Sequence, residues 1–64
     1  MIILYTAVLL DDELWTLRSL ESMFPWDKYN FELLLATTNS NEARDTILSS
    51  VPDLVITDIS MPEI

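Results

Sequence analysis

The chain opens Met1-Ile2-Ile3-Leu4-Tyr5-Thr6-Ala7-Val8-Leu9-Leu10-Asp11-Asp12-Glu13, an almost continuous apolar run that ends in three consecutive acids. A run of this kind, interrupted only by Tyr5, Thr6 and Ala7, suits a central parallel strand covered on both faces rather than a strand with one wet side. As a targeting or membrane segment it fails. No basic residue precedes it, it is far shorter than a span, and it closes on carboxylates. The reading is a buried strand of a cytoplasmic protein whose end delivers Asp11 and Asp12.

Working outward, the period changes from Asp12 onward. Leu14, Leu17, Leu20 or Glu21, and Phe24 recur every three to four residues with Arg18, Ser19 and Ser22 between them, which predicts an amphipathic helix capped by Asp11 or Asp12. Pro25 ends it, and Pro25 to Asn30 reads as a connection to a second apolar strand, Phe31 to Ala36. Asn39 with Glu42 three residues later is a capping-box variant, and Ala43, Ile47 and Val51 then share one face of a second, shorter helix. Pro52 stops that helix. Leu54, Val55, Ile56 and Thr57 make a third strand that delivers Asp58 at its C-terminal end. The order is βαβαβ, without internal repeat, linker or low-complexity segment.

Composition limits the chemistry. Sixty-four residues of mass 7.4 kDa, half of them apolar, support one small core. With no cysteine and no histidine, disulfides, thiol nucleophiles, imidazole bases and Cys/His zinc sites are excluded, leaving carboxylates as the chemically capable groups. Eleven acidic against three basic residues give a net charge of -8, the wrong sign for gripping nucleic acid phosphates or anionic lipid. Glycine is absent, so a glycine-rich phosphate loop is excluded, and positive φ falls to Asn30, Asn39 or Asn41.

Right-handed crossovers on opposite faces give strand order 2-1-3, with a switch point between the carboxyl ends of strands one and three. Asp11, Asp12 and Asp58 all fall there. Ionised carboxylates crowded at neighbouring strand ends repel one another and need a cation. Lys28 lies in the connection at the amino end of the sheet, Arg18 is well down the first helix, and Arg44 opens the second. A hard divalent ion such as Mg²⁺, which takes carboxylate and other oxygen ligands, is the remaining answer. The same residues carry a plainer reading: Asp-Asp-Glu before a helix is a favourable cap, and an Asp closing a strand is a turn former.

Leu9-Leu10-Asp11-Asp12-Glu13 and Pro52-Asp53-Leu54-Val55-Ile56-Thr57-Asp58-Ile59-Ser60-Met61-Pro62 resemble the two fingerprints of response-regulator receiver domains. Pro25-Trp26-Asp27-Lys28-Tyr29-Asn30-Phe31-Glu32 is similar to the corresponding connection in the subgroup whose output domain is an AraC-type DNA binder. The resemblance implies a flavodoxin-like half fold in which Asp58 accepts a phosphoryl group from a sensor histidine kinase. It implies that Asp11, Asp12, Asp58 and the backbone carbonyl of Ser60 hold Mg²⁺. It also implies a module that is no enzyme beyond self-phosphorylation from a phosphodonor, and that controls transcription through an output domain.

Receiver domains have five strands and about twice this length, so residues 1–64 read as an incomplete receiver domain holding strands one to three and helices one and two. The fourth strand with its Ser or Thr and the fifth with its Lys are missing. Leu35 and Ser40 stand where the family commonly has glycine, and Glu63 and Ile64 replace the usual continuation after Pro62. With strand three left as an edge, the expectation is a marginal, oligomeric or strand-swapped chain.

Two further readings remain: a receiver-derived fragment that is not phosphorylated and only pairs with proteins, and a small acidic metal-dependent phosphatase. The second is disfavoured because Ser60 occupies the position two residues past Asp58 where one such family has an acid. Trp15, Trp26, Tyr29 and Phe31 read as core or half-buried anchors rather than a stacking platform for bases. Thr37, Thr38, Ser40, Ser49 and Ser50 have no base and read as caps.

Overall fold

The structure, a computed structural model, describes residues 4–57. Its elements are β1 (Tyr5–Leu10), α1 (Leu14–Met23), a single 3₁₀ turn (Asp27–Tyr29), β2 (Phe31–Thr37), α2 (Ser40–Ser50) and β3 (Leu54–Thr57). All strands run parallel in the order β2-β1-β3, with β1 in the middle. The expected βαβαβ α/β architecture and its 2-1-3 order are therefore present.

The apolar opening run behaves as a strand covered on both faces because its side chains alternate between two clusters. Ala7 and Leu9 pack with Leu17 of α1 and with Trp26, backed by Leu20, Phe31, Leu33 and Ala36. Val8 and Leu10 pack with Ala43 of α2, backed by Leu34, Leu35 and Ile47. These four β1 residues are at most 1% exposed. A fully buried Val or Leu side chain stabilises by about 1.5–3 kcal/mol, so β1 is the energetic centre of the fold.

Between Ala7 and Val8 the β1/β2 register shifts, so that Ala7 faces Leu33 while Val8 faces Leu35. Leu34 is thus an extra residue, a β-bulge. Because of it, the consecutive Leu34 and Leu35 both serve the α2 side, while Leu33 and Ala36 serve the α1 side. Strand alternation alone would have put Leu34 and Leu35 on opposite faces.

Three local expectations are corrected. α1 is capped by Glu13, whose Oε1 accepts from the Trp15 amide at 3.3 Å, and not by Asp11 or Asp12. The chain uses residues 11 to 13 to turn out of the strand, with Asp11 Oδ1 accepting from the Glu13 amide at 2.8 Å, an Asx-type turn. Of the three asparagines offered for positive φ only Asn30 takes it, at 61°; Asn39 is extended and Asn41 is helical. The second such residue is Val51, at φ 47°, which leaves the helix face shared by Ala43 and Ile47 and is 77% exposed. With no glycine at the end of α2, Val51 itself takes the left-handed C-cap position, and its amide donates to the Ile47 carbonyl at 3.0 Å.

The Asn39 cap is as expected, its Oδ1 accepting from the amides of Asn41 and Glu42 at 2.9 and 3.0 Å. At the end of α1, where carbonyls run out of helical partners, the Trp26 indole N–H donates to the Leu20 carbonyl at 3.1 Å. Trp26 and the half-buried Phe31 anchor the core as predicted, whereas Trp15 is 77% exposed and Tyr29 is exposed.

Candidate functional site

The site forms where β1 runs out. Leu10 faces Thr37 at the end of β2 and Thr57 at the end of β3, so the three strands finish level with one another. Asp11 follows directly. Its amide donates to the Thr37 carbonyl at 3.2 Å, extending the β1/β2 ladder by one step, and its side chain is half-buried. Asp12 comes next, exposed, in the bend that leads to Glu13 and α1. Asp58 and Ser60, which complete the expected set, lie outside the described residues.

The structure thus brings together the acid pair and the ends of both neighbouring strands. Thr37 was read only as a capping hydroxyl, yet it is buried and ties two elements to this rim. Its carbonyl holds Asp11, and its Oγ1 accepts from the Asn39 amide at 3.0 Å, fixing the entry to α2. The Thr37-Thr38-Asn39 sequence carried that signal, since a hydroxyl two residues before a cap readily closes such a turn.

Two of the three basic side chains, Arg18 and Lys28, are engaged away from this rim, in line with the sequence reading. Arg18 pairs with Glu21 at 3.0 Å along α1. Lys28 sits over the Tyr29 ring, 5.9 Å from its centroid, in the connection whose Asn30 carbonyl accepts from the Tyr5 amide at the amino end of β1. Two shallow clefts, of about 440 and 380 Å³, run along α1 and the α1/β2 connection, lined by residues such as Arg18, Glu21, Phe24 and Trp26. Neither includes the acid pair.

A hard divalent ion such as Mg²⁺ takes oxygen ligands. Asp11 and Asp12 offer that donor type at the end of one strand, and Asp11 Oδ2 takes no part in the bond to the Glu13 amide. The residues present fit such an ion. Among the described residues no group of three or more acidic side chains is gathered closely enough to hold a metal, the third expected carboxylate being Asp58.

Comparison with known proteins gives the same direction. A response regulatory protein of Staphylococcus epidermidis is 39% identical over 59 residues, which cover 92% of this chain and 24% of that protein. The transcriptional regulatory protein HptR of Staphylococcus aureus is 36% identical over 59 residues, covering 92% of this chain and 23% of HptR. The chain is related to the response regulators. It spans about a quarter of the length of these relatives, and the receiver resemblance carried by its two acidic fingerprints is supported over nearly its whole length. No protein-family profile and no solved structure matches the chain. Among the described residues no helix is long and apolar enough to cross a membrane.

Proposed function

We propose that the chain is the phosphoacceptor part of a cytoplasmic two-component response regulator, in which Asp58 takes a phosphoryl group from a sensor histidine kinase. The observation that carries this reading is the strand order, which sets the carboxyl ends of β1 and β3 side by side with Leu10 facing Thr57 and the acid pair following immediately. In the reaction a carboxylate oxygen of Asp58 attacks phosphorus, the P–N bond to the kinase histidine breaks, and the leaving imidazole keeps that electron pair. Asp11 and Asp12, with Asp58 and the Ser60 carbonyl, would hold Mg²⁺. When bound, the ion supplies charge neutralisation for a dianionic phosphoryl group approaching a carboxylate. The protein's own part is to hold Asp11 rigidly, through the Thr37 carbonyl and the Glu13 amide, at the strand end.

The module is not an enzyme acting on a separate substrate; its chemistry is limited to self-phosphorylation from a phosphodonor. The phosphoaspartate adds charge that can rearrange neighbouring loops, and transcription is controlled through an output domain. This segment itself, at net charge -8, does not bind DNA.

A second reading has its own observation. Leu54, Val55 and Ile56 of β3 are 37 to 38% exposed, and among the described residues β3 has β1 as its one strand neighbour. An open strand of that kind invites pairing, so a homo-oligomer, a strand-swapped dimer or a protein partner fits a fragment that pairs without being phosphorylated. Mass measurement after exposure to acetyl phosphate and Mg²⁺ separates the two. The phosphoacceptor reading expects a gain of one phosphate that is lost in Asp58→Asn; no adduct on the unaltered chain leaves only the pairing module.

A further inference from the structure

At the amino end of β3, opposite the candidate site, Asp53 and Thr6 hold each other by four hydrogen bonds. The Thr6 amide donates to Asp53 Oδ2 at 2.8 Å and the Thr6 hydroxyl donates to the same oxygen at 3.3 Å. In return the Asp53 amide donates to the Thr6 carbonyl at 3.0 Å and to Thr6 Oγ1 at 3.2 Å. Both backbone groups of Thr6 therefore face β3, and the amide is answered by a side chain instead of a strand carbonyl.

This clamp has a specific geometric consequence. Thr6 and Asp53 stand 47 residues apart in sequence, and each ladder pair from Ala7↔Leu54 to Leu10↔Thr57 keeps the same offset without a bulge. The last of these pairs, Leu10↔Thr57, closes the ladder at the rim where Asp11 follows β1. Apolar patterning does not select this register. Leu54 and Ile56 on one face and Val55 on the other are 37, 38 and 37% exposed, so their burial distinguishes only weakly between this register and a slip of one residue. The β1/β2 pair shows that β1 does tolerate a shift, at Leu34.

We infer that Asp53 is a positioning residue: with Thr6 it locks β3 onto β1 at the register that sets Leu10 level with Thr57 at the strand ends, and so controls Mg²⁺ binding and phosphoryl acceptance at the site proposed above. The inference deepens the phosphoacceptor reading and rests on it for its functional half. Its structural half stands on the hydrogen bonds alone.

The test compares the unaltered chain with Asp53→Ala and Asp53→Asn, the latter keeping an oxygen that can accept from the Thr6 amide. NMR cross-strand contacts for Ala7/Leu54 and Leu10/Thr57 report register, and Mg²⁺ titration followed on the Asp11 and Asp12 amides reports the site. Asp53→Ala is expected to lose both contacts while the Thr6/Glu32 pairing of β1 with β2 persists, and to weaken Mg²⁺ binding by about tenfold or more, as removal of an orienting partner does. Asp53→Asn is expected to restore both. Native contacts in Asp53→Ala overturn the clamp. If that variant does not fold, amide exchange of the unaltered chain decides: the Thr6 amide should exchange at least about tenfold more slowly than in an unfolded peptide, and an unprotected Thr6 amide overturns the proposal. An unaltered chain that shows the register contacts but neither binds Mg²⁺ nor accepts phosphate removes the functional half and the phosphoacceptor reading together, leaving the register lock in place.

Discussion

Replacing Val51 by glycine should make the chain more stable, although it removes an apolar side chain. Val51 closes α2 at φ 47° and ψ 65°, a conformation in which its β-carbon crowds the following carbonyl. For an L-residue that crowding costs about 1–2 kcal/mol, and a β-branched residue stands at the upper end. Glycine relieves it, but its freer unfolded chain takes back about 0.5–1 kcal/mol. Because the side chain is 77% exposed, little burial is lost, about 0.3 kcal/mol. The difference is a stabilisation of about 1 kcal/mol, which for a domain of this size raises the thermal midpoint by about 4–8 °C. The assay is thermal unfolding by far-ultraviolet circular dichroism, at one fixed protein concentration so that any self-association contributes equally. Val51→Ala is the control: it drops the branch but keeps the β-carbon, so it should gain less than glycine. A midpoint lowered by Val51→Gly, or an equal gain from alanine, would refute the argument that left-handed strain is stored at this position.

Leu9→Ala, at a fully buried position facing α1 and Trp26, should cost about 2–5 kcal/mol in urea unfolding followed by tryptophan fluorescence. A chain of this length has only about 3–10 kcal/mol in total, so the variant should lose a large share of its stability, and a native-like midpoint would show the core to be elsewhere. Trp26→Phe removes the indole bond to the Leu20 carbonyl and part of a buried ring, and should lower stability by about 2 kcal/mol in urea unfolding followed by far-ultraviolet circular dichroism. Asn39→Ala should cost about 1 kcal/mol by removing the acceptor for two α2 amides; increased amide exchange confined to the first turn of α2 is its signature.

What could be read from the residues followed from short-range physics. The run Tyr5 to Leu10 without polar alternation already required cover on two faces, and Ala7 and Leu9 against Val8 and Leu10 provide it. Asn39 before Glu42 marked a helix start, Pro25 and Pro52 marked stops, and the two acidic fingerprints pointed to the response regulators that the relatives named above represent. Each of these signals lies within a few residues and needs no knowledge of what the segment will touch.

Other features needed the folded chain, because they are decided by partners far apart in sequence. The bulge at Leu34 comes from matching β2 to β1 while feeding both apolar clusters, a condition that neither strand's own pattern contains. Val51 takes the left-handed turn that the asparagines were expected to supply, because the position is set by where α2 must end before β3 begins. The level finish of Leu10, Thr37 and Thr57 is likewise a matter of register, and register is an agreement between strands: local propensity chooses a strand, while only pairing chooses its neighbour and offset.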